Sequence, residues 1–354
     1  MSTLVKFLPN HVMYWLFQNI YYKEKSMKHC QLISILTASA LLFSSASAFA
    51  QNCTTTPVYQ PDSTRPALSG RLVYHSYSTY GDSTSKLYLF DFQTSQLSVL
   101  SNSWGITDPM NANFSPDGKW ITFMGIQNAK WHVFLWQVGS STLPTNLTAL
   151  SDTRNEDPKF SFDGKKIAFK RNGDIKIATI NFSSTPPAIS SILHVTSNGF
   201  QTEESMPYMT PSGKYVLYTR GANTTFDIYR TNLQNMTTQA LISTPDVADY
   251  YPIVRDSTSF FYSRWDNAIN KFDLIYMNVP NTNSNIQLKL NHCSSNNSDA
   301  APVDEDLLIF SGTREGRYKL YLGDIKTGNV WSLDSLGINS MTNNVLGANY
   351  TYRR

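Results

Sequence analysis

The sequence predicts an all-β fold, a six-bladed β-propeller built from four-stranded antiparallel blades. Three observations support this architecture. A strand–turn–strand pattern recurs in the segments Phe114–Phe123, Phe160–Phe169 and Met209–Tyr218. Units that carry this pattern follow one another at nearly constant spacing along the chain. No segment of comparable length has the 3.6-residue apolar period of a long amphipathic helix.

The residues at the turn of the first hairpin explain why the chain reverses there. Pro116 sets φ at the second turn position, Asp117 tolerates the bridge conformation, and Gly118 accepts a positive φ. Ile121 and Phe123 then point to one face of the returning strand, because strand side chains alternate between two faces. The pattern therefore predicts a β-hairpin in each of the three segments.

An aromatic residue near the end of the second strand marks six repeats. These residues are Tyr74, Phe123, Phe169, Tyr218, Tyr262 and Phe310, separated by 49, 46, 49, 44 and 48 residues. Two short stretches with strand character follow each of them, so each repeat predicts four strands. Four short strands at this spacing are the unit of a propeller blade. Repeats five and six keep the aromatic residue, although their turns at 255–258 and 304–306 lack the Pro-Asp-Gly pattern.

The two ends of the chain are predicted to share one blade. The inner strands of blades two to six are marked by Ala112, Pro158, Pro207, Pro252 and Pro302. One more step along the chain reaches Ala348, whereas blade one begins directly at its second strand. We therefore expect residues 346–352 to supply the inner strand of blade one and to close the ring. The alternative is that Arg65–Ser69 forms this strand.

The first 50 residues are predicted to lie outside the propeller. Residues 27–50 have a basic start, an apolar run from Leu32 to Phe43 and small residues ending at Ala50, the pattern of a secretory signal peptide. We interpret residues 1–26 as an upstream extension, the alternative being that His11–Ile20 belongs to a longer uncleaved anchor. Residues 51–69 are predicted to form a polar arm and residues 70–354 the propeller. The mature protein should be periplasmic or secreted, without a stable membrane span.

Cleavage after Ala50 leaves two cysteines, Cys53 and Cys293. In an oxidising compartment these two can form a disulfide, and two unpaired thiols are the alternative. The net charge of +3 is small for 354 residues and no block of Lys and Arg stands out. Nucleic-acid binding is therefore not expected. We expect a monomer.

The repeat Phe-Ser-Pro-Asp-Gly-Lys-x-Ile-x-Phe, with an Ile/Leu-Tyr third strand, resembles the repeat of the TolB-like propellers. It stands at Phe114–Phe123, and Ile228-Tyr229 and Leu320-Tyr321 are the matching third strands. The resemblance implies a periplasmic six-bladed propeller over roughly residues 70–352, without the additional N-terminal domain of TolB itself. It does not imply one function, because similar repeats occur in peptidase and polysaccharide-lyase propellers. A peptidase is not expected, since the chain lacks a Gly-x-Ser-x-Gly nucleophile motif.

Acidic and amide side chains just before the inner strands are the main candidate site. They are Asp108, Asn155, Glu156, Asp157, Glu203, Glu204, Asp249 and Asp299. Equivalent positions in a ring converge on the axis, so we expect an acidic channel mouth that focuses negative potential on a basic partner segment. No cofactor is expected, although grouped carboxylates also suit a channel-bound cation such as calcium. The alternative is that these groups cap loops.

Histidine and aromatic residues are weaker candidates. His75, His132, His194 and His292 lie off the inner strands and lack metal-ligand spacing, so we interpret them as structural. A lyase would instead combine His75 with Tyr77, Tyr80 or Arg71. Trp104, Arg264 and Trp265 lie in or beside predicted loops and are interpreted as surface contacts.

We therefore expect a non-catalytic module that binds a protein or glycan of the cell envelope at the channel mouth. The second hypothesis is a polysaccharide-degrading enzyme of the lyase type on the same scaffold. Propellers include both binding modules and enzymes, so the fold alone does not distinguish the two hypotheses.

Overall fold

The computed structural model describes residues 56, 58–198, 202–222, 225–266, 270–340 and 342–351. The predicted signal peptide, the predicted upstream extension and Cys53 lie outside these residues. Strands make up more than half of the described residues and helix is nearly absent, which confirms the predicted all-β propeller class. Three short 3-10 helices, at Asp62–Thr64, Pro280–Thr282 and Asp334–Leu336, are the helical elements described.

The described strands fall into six antiparallel groups of four. In chain order they are β1 (Arg71–Tyr77), β2 (Lys86–Asp91), β3 (Gln96–Val99), β4 (Thr107–Phe114), β5 (Trp120–Gln127), β6 (Lys130–Gln137), β7 (Thr145–Asn146), β8 (Asn155–Phe160), β9 (Lys166–Arg171), β10 (Asp174–Asn181), β11 (Ala188–His194), β12 (Glu203–Met209), β13 (Tyr215–Ala222), β14 (Thr225–Asn232), β15 (Thr238–Ile242), β16 (Ala248–Val254), β17 (Phe260–Asp266), β18 (Asn270–Val279), β19 (Ser284–Gln287), β20 (Asn297–Pro302), β21 (Leu307–Gly312), β22 (Lys319–Asp324), β23 (Val330–Ser332) and β24 (Asn344–Thr351). Blade one has the order β24-β1-β2-β3, and the other blades run from β4, β8, β12, β16 and β20. One parallel bridge, Phe226 to Ala248, joins blades four and five.

The last strand pairs with the first. β24 runs antiparallel to β1, with Thr351 opposite Arg71 and Asn344 opposite Tyr77. Residues 66–69 have no strand structure, so the alternative inner strand at Arg65–Ser69 is wrong. The six inner strands, β4, β8, β12, β16, β20 and β24, contact one another in a closed cycle.

The repeated hairpins form as their sequence predicts. Asp117 accepts hydrogen bonds from the Ser115 hydroxyl (2.6 Å) and the Lys119 amide (3.1 Å), and Gly118 has φ +66°. These donors lower the pKa of the Asp117 carboxyl, although partial burial opposes the shift. Asp163 makes the equivalent bonds in blade three. Both aspartates therefore act as turn residues.

The core lies between neighbouring blades. The six repeat-marking aromatic residues are at most 1% exposed. Val73 and Leu87 of blade one, for example, pack with Phe123, Phe134 and Trp136 of blade two. Each blade thus buries its apolar faces against its neighbours rather than within itself.

Each inner strand contains a β-bulge at one equivalent position. The residues in left-handed conformation there are Asn111, Asp157, Met206, Tyr251, Asp299 and Gly347, with φ of 53°, 53°, 55°, 54°, 53° and 62°. The strand register shifts at all six places. A bulge re-aims the side chain of the extra residue. In blade one only glycine fits, because a Cβ on Gly347 would overlap the His75 ring.

The segment before the propeller packs on blade six. The Gln60 amide donates to the Val330 carbonyl (2.8 Å), and the rings of Tyr59 and Tyr321 stack at 5.7 Å. The indole N–H of Trp331 donates to the Thr64 hydroxyl (3.1 Å). This part of the arm therefore covers the outer strand of blade six, and an exposed strand edge is protected there.

The contact between Gly70 and Tyr350 tests how strongly the two ends hold together. The buried Gly70 amide donates to the Tyr350 hydroxyl at 2.8 Å. Replacing Tyr350 by Phe leaves this amide unpaired, so we expect a loss of about 1–3 kcal/mol in the free energy of unfolding. The control Tyr88→Phe should change it by less than about 0.5 kcal/mol. Urea unfolding followed by circular dichroism measures both, and equal effects would contradict the assigned contact.

Candidate functional site

The predicted acidic ring is mostly buried between the blades. The bulges show that Ala300, not Pro302, is the residue equivalent to Pro158, Pro207 and Pro252. The residues three positions before these markers are Asn155, Glu204, Asp249 and Asn297, and each is 0% exposed. The prediction that Asp299 belongs to this set is therefore wrong by two residues. The prediction that these side chains converge on the channel mouth is also wrong.

Each of these four residues contacts an arginine that lies within two residues of the end of the second strand of its blade. The pairs are Asn155 with Arg171 (2.7 Å), Glu204 with Arg220 (3.6 Å), Asp249 with Arg264 (2.7 Å) and Asn297 with Arg314 (3.0 Å). Each guanidinium also lies over an aromatic ring of its own blade. The repeated pair is thus a structural clamp, in which a planar cation satisfies a buried acceptor and stacks on an aromatic face.

Glu156 and Glu203 belong to a second buried network. The Lys170 ammonium lies 2.8 Å from Glu156 and 2.9 Å from Glu203, and Arg154 also pairs with Glu156. Burial alone would raise the pKa of Glu156, but Lys170 and Arg154 lower it to about 2. Both cations are satisfied by carboxylates, so this network stabilises the junction of blades three and four.

Asp108 anchors a loop rather than binding a ligand. It is 1% exposed, and its carboxylate accepts the Ser85 amide at 3.3 Å. The Ser85 hydroxyl donates to the Pro109 carbonyl at 2.8 Å. These bonds hold the β1–β2 loop, which carries Tyr80, beside the channel.

Of the predicted acids, Asp157 and Asp299 do line the channel. With Asn111, Lys159 and Tyr251 they surround a cavity of about 40 Å³. Asn111 donates to Asp157 at 2.9 Å. Burial raises the pKa of Asp299 to about 6 and lowers the pKa of Lys159, although each charge partly offsets the other's shift. The channel therefore holds a lysine together with two carboxylates.

Tyrosines enclose the channel near this cavity. Tyr77 and Tyr80 meet edge to face at 6.0 Å, and Tyr250 and Tyr251 lie 5.3 Å apart. The Tyr250 hydroxyl donates to Asp273, whose other carboxylate oxygen is buried without a hydrogen-bond partner. Burial raises the pKa of Asp273 to about 7. Sequence reasoning missed Asp273, because it lies on a third strand far from the inner-strand markers.

The described residues contain no group of three or more His, Cys, Asp and Glu side chains arranged for a metal ion. His75 stacks beside Tyr77 at 5.6 Å, near Tyr80. Arg71 lies at the opposite end of β1 and donates to the Gly118 carbonyl (2.7 Å). Of the three partners that the sequence allowed for His75, the structure thus places Tyr77 and Tyr80 near it and Arg71 away from it.

The predicted surface tryptophans are buried. Trp104 is 8% exposed and stacks on Phe123 at 5.1 Å, whereas Trp265 is 5% exposed. Arg264 makes two bonds to Asp249, at 2.7 and 2.9 Å, and lies over Tyr276. All three therefore stabilise the fold, and their interpretation as surface contacts is wrong. Arg264 and Trp265 lie within β17 rather than in a loop, and the loop of Trp104 packs back onto blade two.

The exposed carboxylates at the channel mouth come from other residues. We call five of the connections at the end where the inner strands begin the mouth loops: β1–β2, β5–β6, β7–β8, β15–β16 and β21–β22. Asp82, Asp152, Asp246 and Glu315 are exposed on them. Two exposed cations lie nearby in the chain, Lys130 at the start of β6 and Lys289 on the β19–β20 connection. Glu315 is paired with Lys319. The remaining three carboxylates make this rim acidic.

Cys293 is disulfide-bonded. The other two cysteines of the chain lie outside the described residues, so the pairing with Cys53 stays a prediction.

Sequence comparison decides the family. A profile of the TolB beta propeller domain (PD40) matches residues 49–267, more than half of the chain. The chain belongs to the TolB β-propeller family. No curated protein matches the sequence significantly. The resemblance seen in the repeated hairpins is therefore confirmed.

Solved structures share this TolB-type fold. TolB from Acinetobacter baumannii has a TM-score of 0.63 and 19% identity, over 82% of this chain and 69% of that one. Hydrazine synthase from Kuenenia stuttgartiensis has a TM-score of 0.60 and 13% identity, over 81% of this chain and 47% of that one. A chain of a nidogen/laminin complex has a TM-score of 0.56 and 9% identity, over 80% of this chain and all of that one. At such identities the likeness shows the fold alone.

In the part of the TolB-type chain that the structure describes, no helix is both long and apolar enough to cross a membrane.

Breaking the clamp of blade five should destabilise this TolB-type propeller. Asp249 is 0% exposed, so Asp249→Ala leaves the Arg264 guanidinium unpaired in a largely buried place. We expect a loss of about 3–5 kcal/mol in the free energy of unfolding. The exposed control Asp152→Ala should cost less than about 0.5 kcal/mol. Chemical denaturation compares the two, and a mild effect at Asp249 would return it to the list of candidate ligand-binding residues.

Two buried acids should respond to pH with opposite signs. The pKa of Asp273 is raised, so the folded state holds its proton while the unfolded state releases it as pH rises from about 4 to 7. This group therefore lowers the free energy of unfolding at high pH by roughly 4 kcal/mol, at 1.36 kcal/mol per pKa unit. Asp273→Asn should stabilise the protein at pH 8 and have little effect at pH 4.

Glu156→Gln is the matched control. Its carboxyl has a lowered pKa, so its stabilisation is present above pH 4.5 and disappears as pH falls towards 2. This variant should be less stable than the parent at pH 8, and the difference should shrink in acid. Denaturation midpoints of the parent and both variants, measured from pH 2 to pH 8, test both pKa shifts. If both variants were stabilised, or both destabilised, at pH 8, one of the two pKa directions would be wrong.

Proposed function

We propose that this TolB-type propeller is a non-catalytic binding module of the periplasm that engages a basic segment of a cell-envelope protein at its channel mouth. The observation that carries the proposal is the set of exposed carboxylates on the mouth loops, Asp82, Asp152 and Asp246. Loops at one end of a ring present their side chains to the same partner, and an acidic rim attracts and orients a basic one.

The size of the channel favours a protein over a glycan. The cavity behind the mouth has a volume of about 40 Å³ and is enclosed by Asn111, Asp157, Lys159, Tyr251 and Asp299. This volume accommodates about three water molecules, and it is much smaller than the cavity of about 150 Å³ that holds a benzene ring, so a sugar ring does not fit. Ligand contacts therefore belong to the rim, where a polypeptide can lie across several loops. Periplasmic localisation rests on the family and on the predicted signal peptide.

Crosslinking in the intact cell envelope, followed by mass spectrometry, tests the proposal. A stoichiometric protein partner should be captured by the exported protein. The double variant Asp152→Lys/Asp246→Lys should reduce capture at least threefold, and the effect should weaken at high salt. Glu305→Lys, in the hairpin between β20 and β21 at the opposite end, is the control and should leave capture unchanged.

Two outcomes would overturn the proposal. One is equal capture by the parent and the double variant. The other is the absence of a stoichiometric partner while uronate-containing glycans yield unsaturated products, which would favour the lyase hypothesis instead.

A further inference from the structure

A cleft opens between blades four and five at the hairpin end, opposite the mouth loops. Its volume is about 180 Å³, and its lining includes Pro211, Tyr215, Arg230, Leu241 and Phe260. It is more than four times larger than the channel cavity of about 40 Å³. None of the mouth-loop carboxylates takes part in it.

The cleft lies beside the hairpin of blade five, whose turn residues depart from the repeat. Between blades two and three the hairpins touch, since a Cβ on Gly164 would lie 3.4 Å from Pro116, whereas a Cβ on Gly213 of blade four would have no neighbour within 4 Å. The equivalent pair in blades four and five is Pro211 and Thr258, and both instead line the open cleft. A local departure from the repeated sequence pattern is a place where a functional site is expected.

The floor of the cleft is apolar and one wall is cationic. Leu217, Val254 and Phe260 are buried beneath it, 3%, 3% and 2% exposed. The Arg230 guanidinium lies over the Tyr215 ring at 4.7 Å. In the amide orientation that satisfies both residues, the Gln239 oxygen accepts from Arg230 at 2.8 and 3.1 Å. Arg230 is thus held rigidly with donors left for a ligand, since a guanidinium has five.

The local charge favours an anion. Arg230 is the cation of the lining and Asp256 is its acid. The Asp256 carboxylate accepts hydrogen bonds from Thr258 and Ser259 and lies 3.5 Å from the Arg255 guanidinium. Because Arg255 offsets the charge of Asp256, the positive charge of Arg230 remains for a ligand.

We propose that this cleft binds an organic carboxylate that carries a benzene-sized apolar group. The apolar group fills the floor and the carboxylate pairs with Arg230. The size agrees, because an apolar cavity of roughly 150 Å³ is enough to hold benzene. An arginine paired with a carboxylate supplies both charge and directional hydrogen bonds. This inference is independent of the proposed function at the channel mouth.

NMR titration of the mature protein with 3-phenylpropionate tests the proposal. A ligand of this size should bind with a Kd of about 1 mM, with shifts centred on the cleft. The neutral isostere 3-phenylpropanamide should bind at least tenfold more weakly. Arg230→Gln should abolish binding and Arg230→Lys should retain part of it, whereas Lys119→Gln in the hairpin of blade two should change nothing. Leu241→Trp, which fills the cleft, should block the site without removing its charge.

Two peptides ending in phenylalanine, with a free or an amidated C-terminus, identify the source of the ligand. Tighter binding of the free-acid peptide than of 3-phenylpropionate assigns the cleft to a chain end, and the reverse assigns it to a small organic acid; both outcomes support carboxylate recognition. Equal binding of acid and amide, binding that survives in a folded Arg230→Gln protein, or no saturable shift with either acid by about 10 mM would overturn the proposal.

Discussion

The architecture depends on one backbone constraint, the left-handed residue in the bulge of every inner strand. Because the extra residue shifts the register, side chains before and after the bulge face different neighbours. Asp157 and Asp299 lie in the bulges and reach the channel. Asp249, two residues before its bulge, is turned between blades and pairs with Arg264. On an inner strand, a side chain in the bulge thus reaches the channel, whereas the side chain two residues earlier is buried between blades.

The arginine clamps show how a repeat can conserve an interaction while changing its chemistry. The acceptor is an amide in blades three and six and a carboxylate in blades four and five, and in each case the arginine stacks on an aromatic ring. All four pairs share the arginine stacked on an aromatic ring and the buried acceptor side chain. They differ in net charge, because the acceptor is neutral in two pairs and negative in the other two. The candidate binding surfaces lie elsewhere, on the mouth loops and in the cleft between the hairpins of blades four and five.

Much of the fold could be predicted from the sequence because it rests on local chemistry. The turn residues around Gly118 and the aromatic residue of each second strand were sufficient to define the repeats, and their spacing led to the C-terminal strand. The site was less accessible. Pro302 resembles the strand markers but lies two residues beyond the true equivalent, and burial of Trp104 depends on how its loop folds back. Exposure of Asp152 and Asp246, and the cleft beside Arg230, follow from tertiary packing that no single segment encodes.

The pairing of β24 with β1 has a consequence for biogenesis. Residues roughly 270 positions apart must meet before blade one exists, so the chain has one very long-range contact on which its cycle of strands depends. A polypeptide that is synthesised amino end first cannot complete this ring before β24 has been made and released. Closure of the ring is therefore a late event, which follows the synthesis of nearly the whole chain.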